Sequence, residues 1–177
     1  GWSEAEAGQV NAIFLAAVYF LPLLGGFLSD RIGYGKCVTI GMFVMFLGYL
    51  GLALPTDDLG TAKIAMLGGL ALVSIGTGLF KGNLQVLVGN LYDDPKYAER
   101  RIDAFSLFYM AINIGAMFAP SMAKWITNVY LGQFGFVYDA ANTNPEYLKA
   151  LYGAYGLCFG VACVSLVVSA IIYFACR

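Results

Sequence analysis

Five stretches of this chain are so uniformly apolar that they leave it few ways to fold: Val10–Leu28, Val38–Leu54, Ile64–Leu91, Ala104–Ile126 and Leu151–Cys176. A helix needs roughly 20 predominantly apolar residues to cross about 30 Å of hydrocarbon. Each stretch approaches or exceeds that length, Val38–Leu54 being the shortest. Composition agrees: 60% of residues are hydrophobic, 12% are charged and the mean hydropathy is +0.73, whereas a soluble domain is about 25% charged. The expected class is all-α, a polytopic membrane bundle of five helices. No basic run and no small-residue cleavage site precedes Val10, so the first stretch is expected to be a true span and not a signal peptide.

The loops carry the orientation. Ser29–Lys36 and Tyr92–Asp103 hold Arg31, Lys36, Lys96, Arg100 and Arg101, and the last residue is Arg177. The other side has Lys63, Lys124 and Lys149 among Glu4, Glu6, Asp57, Asp58, Asp139 and Glu146. The positive-inside rule therefore predicts that the first group is cytoplasmic, with Gly1 outside and Arg177 inside a cell membrane. The formal charge of −1 comes without a basic patch free of acids, so no nucleic-acid partner is expected. The four cysteines, Cys37, Cys158, Cys163 and Cys176, have no metal-type spacing and read as small apolar packing residues. There is no histidine, which removes a serine–histidine triad and any imidazole ligand for zinc. No Asp or Glu interrupts the five stretches. A membrane protease with paired acids, or a retinal protein with carboxylate counter-ions, lacks its chemistry here.

One charge lies deep inside them. Lys81 is the sole charged residue from Ile64 through Tyr92 and lies ten residues from Leu91, about 15 Å along a helix. That is beyond the reach of a side chain that snorkels from near a helix end. An ammonium at that depth costs about 2.5–3.5 kcal/mol on insertion scales, so it is expected to face a bundle interior or a watery cavity and to have a partner. The partner acid must then lie on another helix or on a bound ligand. Ser74, Thr77, Gly78, Lys81 and Gln85 recur at helical spacing, as do Ser106, Tyr109, Asn113 and Pro120, and the first stretch has Asn11, Tyr19 and Pro22. Such stripes can be interhelical hydrogen bonding, the better reading for Ser and Thr alone. Lys81 with Gln85 and Asn113 favours a solute pathway. Gly78-x-x-x-Gly82 and Gly156-x-x-x-Gly160 are small-residue pairs that allow close helix approach, and Gly82, directly after Lys81, is a candidate bend.

Specific resemblances follow from three stretches. Gly26-x-x-x-Asp30-Arg31-x-Gly33, within "GGFLSDRIGYGK", resembles the cytoplasmic signature between the second and third helices of the major facilitator superfamily. Asp30 is expected to end a helix, Gly33 and Gly35 to permit a tight turn, and Arg31 and Lys36 to anchor it on the inner face. "GTGLFKGN" with "LVGNLYDD", and "DAFSLFYMAINIGAMFAP", resemble the fourth and fifth helices of the proton-dependent oligopeptide transporter family. Gly82 stands where that family usually carries proline, and Asp103 comes one place later than its arginine–arginine–aspartate order. The resemblance implies a chain corresponding to helices two to six, residues 1–177 being part of an N-terminal bundle without the first helix or the C-terminal half. It implies proton-coupled symport of di- and tripeptides, with the proton as coupling ion and no metal or other cofactor. The substrate-binding residues expected are Lys81, Asn113, Tyr19, Tyr109 and Gln85. The conformational loop is Gly26, Asp30, Arg31, Gly33 and Lys36. The partners implied are di- and tripeptides, the lipid bilayer and the remaining helices of the transporter. The alternative is another facilitator-type transporter of a small polar or anionic solute.

Overall fold

The computed structural model describes residues 3–54 and 59–175. Five helices follow one another: α1 (Glu4–Ile32), α2 (Tyr34–Ala53), α3 (Leu59–Asn90), α4 (Arg101–Gln133) and α5 (Pro145–Ala175), with a single 3-10 turn at Ala98–Arg100 before α4. All five are long and apolar enough to cross a membrane. In hydrocarbon every backbone N–H and C=O must be satisfied internally, and a helix does this within one segment.

Four of the helices outrun the apolar stretches by several residues, because hydropathy marks only the part that lies in hydrocarbon while polar ends stay helical. The start of α1 shows how. Ser3 and Glu6 form a capping box, the Ser3 hydroxyl accepting from the Glu6 N–H and the Glu6 carboxylate accepting from the Ser3 N–H at 2.8 Å. Two of the free N–H groups of the first turn are satisfied in this way. The expected loop at 29–36 is far shorter than the sequence suggested. Helix α1 continues to Ile32, α2 begins at Tyr34, and Gly33 alone joins them at φ +93. Gly35 is therefore helical and plays no part in the turn. Likewise Arg101, Ile102 and Asp103 already belong to α4. Asp57, Asp58, Cys176 and Arg177 lie outside the described residues.

Helix α3 is the hub, packing along both α2 and α1. Backbone approaches backbone where glycines face each other: Gly41 against Gly76, Gly48 against Gly69, and Gly25 against Gly78. Around the α2 seam Val38, Met42 and Met45 are buried against Phe80, Leu84 and Leu87 of α3 and Leu166, Ala170 and Tyr173 of α5. Of the expected small-residue pairs, only one member of each packs closely. A Cβ on Gly78 would meet Leu21 at 2.5 Å and one on Gly156 would meet the Ala53 carbonyl at 3.2 Å. Gly82 would make only ordinary contact with Pro22, and Gly160 has open space. Positions four apart are rotated by about 40° on a helix, so a single crossing holds one of them.

Helix α4 leans on α5 and meets α3 at its start, where Arg101 and Phe105 pack on Gly89. Every residue from Tyr109 to Trp125 is exposed. Between α4 and the other helices runs an open apolar groove of about 650 Å3 that includes Met45, Phe80, Phe118 and Met122. The far end of the α4–α5 hairpin is closed by its own small core, in which Leu131 and Tyr147 are fully buried. The Tyr147 hydroxyl there accepts from the Asp139 N–H at 2.9 Å.

Candidate functional site

Helices α1 and α3 run in the same direction, with Leu21 beside Gly78, Pro22 beside Gly82 and the Gly25 carbonyl beside Asn83. That register puts the backbone of Lys81 level with the residues just after Pro22. The ammonium nevertheless lies 5.1 Å from the centroid of the Tyr19 ring, roughly one helical turn back toward the N-termini. A helical side chain leaves its Cα tilted that way, and the four-carbon stem continues it. Lys81 thus points to the middle of both helices and away from the nearer end at Asn90, the opposite of what snorkelling to that end requires. Among the described residues no carboxylate pairs with it.

The other stripe residues separate into two groups. Ser74 is buried and its hydroxyl donates to the Leu70 carbonyl at 2.8 Å, Thr77 donates to the Met45 sulfur at 3.5 Å, and Gly78 is buried against α1. These three face the packed side of α3, but of the two hydroxyls only that of Thr77 makes the interhelical bond expected, while Ser74 bonds within its own helix. The stripe opens only at Lys81, which is exposed, and at Gln85, which is half-buried one turn further on. Tyr19 is 70% exposed, so its ring can cover the ammonium and still present its hydroxyl outward.

On α4, Tyr109 and Asn113 are both exposed, Tyr109 standing edge-on to Phe108 at 5.7 Å. Asn113 occupies the face of α4 turned away from the apolar groove that Gly115, Phe118, Met122 and Ile126 line, and Tyr109 stands toward the edge of that groove. The Gly89–Phe105 junction relates them to Lys81. Lys81 lies eight residues before Gly89 and Asn113 eight after Phe105, each about 12 Å from the junction along diverging helices. Lys81 and Tyr19 are in contact. Asn113 shares their depth on a neighbouring helix without touching them, Tyr109 lies one turn nearer the junction, and among the described residues neither Gln85 nor Asn113 has a side-chain hydrogen-bond partner.

The loop residues gather at the other end of α1. Asp30 accepts a hydrogen bond from the Tyr34 hydroxyl at 2.6 Å across the single-residue turn. The Arg31 guanidinium lies 4.8 Å above the Phe27 ring, and Lys36 is exposed. The Gly26 carbonyl accepts from the Ser29 hydroxyl at 2.6 Å, with open space where a Gly26 side chain would stand. Arg101 pairs with Asp93 at 3.4 Å, while Asp103 sits in the first turn of α4, where a carboxylate favours the helix dipole. Sequence reasoning passed over Asn83 and Tyr34. Asn83 carried a signal of its own: an amide inside an apolar run must find hydrogen-bond partners, and it lies on a different side of α3 from the stripe.

Comparison with known proteins gives the family. Residues 35–177 match the family profile described as PTR2, POT family. The chain is 38% identical over 128 residues to the di-/tripeptide transporter of Lactobacillus helveticus, covering 71% of this chain and 24% of that protein. It is 36% identical over 133 residues to dipeptide and tripeptide permease A of Proteus mirabilis, covering 73% and 26%. Among solved structures, tetrameric PepTSo2 superposes with a TM-score of 0.77 at 26% identity, over 99% of this chain and 33% of PepTSo2. The chain therefore spans about a quarter of the length of these curated relatives. The family is one of transporters and not of enzymes. With most of its length matched by the profile and its five helices superposed on solved members, this chain belongs to the POT family, the proton-dependent oligopeptide transporters of the major facilitator superfamily, and corresponds to part of their N-terminal half.

Proposed function

We propose that this chain is part of a proton-coupled symporter of di- and tripeptides in the cell membrane, and that Lys81, Tyr19, Gln85, Asn113 and Tyr109 line its peptide path. The observation that carries the reading is the ammonium of Lys81, turned toward mid-span over the Tyr19 ring with no carboxylate partner among the described residues. A peptide brings such a carboxylate. Charge-assisted pairing of its carboxyl end with Lys81 orients the substrate. The hydroxyls of Tyr19 and Tyr109 and the amides of Asn113 and Gln85 offer hydrogen bonds to the peptide backbone, whatever its side chains. Selectivity then falls on length more than on sequence.

Residues 1–177 serve in this reading as helices two to six of the N-terminal bundle, completed by a first helix and a C-terminal half. An acid on that first helix pairs with Lys81 when ionised; its protonation frees Lys81 for the peptide, which couples proton and substrate. The turn bearing Gly26, Asp30, Arg31, Gly33 and Lys36 faces the cytoplasm and helps hold one state of the cycle as the two halves rock about the site. Each inward proton contributes about 2.3 kcal/mol per 100 mV of membrane potential. The test is uptake of a labelled dipeptide into proteoliposomes containing the complete protein under an inward proton gradient. Accumulation that collapses with a protonophore is the expected result, and uptake indifferent to the protonophore overturns the reading.

A further inference from the structure

We infer that Asn83 is a positioning residue for the site just described: by bonding α3 to a single carbonyl of α1 it sets the rotation of α1 that keeps the Tyr19 ring against the Lys81 ammonium. The inference rests on the proposed function for its consequence in transport, though not for its structural content.

Asn83 is 1% exposed and is the one amide buried among the described residues. Its amide nitrogen donates both hydrogens, one to the Gly25 carbonyl of α1 at 3.2 Å and one to the Leu79 carbonyl of its own helix at 2.8 Å. Burying an amide is costly unless it is bonded, and a leucine of similar size would pack there without that cost. The bond to Gly25 supplies something that packing does not. The Leu21–Gly78 and Pro22–Gly82 contacts are steric and tolerate sliding or turning by a fraction of a residue. A hydrogen bond is directional and weakens steeply when misaligned.

The placement of the residues makes that direction matter. On α3, Asn83 lies two residues after Lys81, about 200° around the helix, with Gly78 and Gly82 between them in angle and against α1. Helix α3 therefore holds α1 from both sides, Asn83 reaching the Gly25 backbone on one and the Lys81 stem reaching Tyr19 on the other. On α1, Tyr19 and Gly25 are six residues apart, so they too point in different directions. A turn of α1 that released Gly25 from Asn83 would carry Tyr19 away from Lys81. The close approach of the Gly25 and Gly78 backbones is what brings the carbonyl within reach of the amide.

The experiment has two readouts on the complete transporter. The first does not depend on transport. A Cβ at Gly82 lies 4.0 Å from the Pro22 Cβ, within the range of a disulfide, so Pro22→Cys with Gly82→Cys, in a background whose native cysteines are replaced by serine, should cross-link on mild oxidation. Adding Asn83→Leu should slow that cross-linking at least about fivefold. The second readout is dipeptide uptake by Asn83→Leu with Pro22 and Gly82 intact, for which the KM should rise at least about tenfold per folded transporter while the thermal melt moves little. A residue needed only for stability would lower the amount of folded protein and leave the KM of the remainder unchanged. Unchanged cross-linking overturns the positioning of α1, and an unchanged KM with slowed cross-linking overturns its link to the site. Should Asn83→Leu fail to fold, Asn83→Ser carries the same comparison, because its shorter hydroxyl can bond Leu79 but does not span to Gly25. If the unsubstituted protein moves no peptide, the transport reading fails while the cross-linking rates still decide what Asn83 does.

Discussion

Lys81 holds a full charge where the surrounding helices are apolar, and the direction of its side chain separates the two roles such a lysine can have. A snorkelling lysine needs only a long cation, and arginine serves as well. A lysine that alternates between a protein carboxylate and a substrate carboxylate needs a compact, rotatable ammonium, for which the planar guanidinium fork is a poor replacement. Lys81→Ala in the complete transporter should abolish proton-driven accumulation of dipeptide. Lys81→Arg should lower it by roughly tenfold or more, a change of about 1.4 kcal/mol. Proteoliposome uptake measures both, and driven uptake that survives alanine would reduce Lys81 to a packing residue. Its isolation in an uncharged run was legible in the sequence, because a charge in hydrocarbon is costly wherever it occurs. Its contact with Tyr19 was not, since nothing in either run of residues states the register of α1 on α3.

Among the elements, glycine decides which helices can touch. Gly25 lies so close to the Gly78 carbonyl that an added Cβ has no room, and backbone cannot yield as a flexible side chain can. Gly25→Ala should destabilise the bundle by about 1–3 kcal/mol. Gly82→Ala meets only Pro22, at 3.9 Å and beyond, inside a helix that runs unbroken from Leu59 to Asn90. There the gain in helix propensity should prevail, worth up to about 1 kcal/mol. Thermal melts in detergent should move in opposite directions for the two variants, and a common direction would mean that the seam does not pack as described. Both residues are glycines in apolar runs, so their sequence context hardly separates them. The crossing point of α1 and α3 does, by bringing Gly78 onto Gly25 and leaving Gly82 one turn further along.

At the scale of the whole molecule, the charges predict which way the bundle sits and the packing shows which faces stay uncovered. Lys96, in the segment between α3 and α4, should be cytoplasmic. An impermeant thiol reagent added to intact cells should therefore fail to label Lys96→Cys until the membrane is opened; ready labelling from outside would reverse the orientation. Helix α4 leaves a long exposed stretch and an apolar groove behind it. The number of spanning helices, their approximate extents and the family resemblance could all be read from the sequence. Transfer of apolar side chains out of water is local and additive, and motif residues keep their spacing along the chain. The one-residue turn at Gly33, the use of one glycine from each small-residue pair, the division of the α3 stripe into packed and open halves, and the Asn83–Gly25 bond were decided only in the tertiary structure. Each depends on the rotation and depth of one helix against another, and between helices that are apolar on most of their surface hydrophobicity favours no single face. Steric fit at a few glycines and directional hydrogen bonds such as Asn83–Gly25 make that choice.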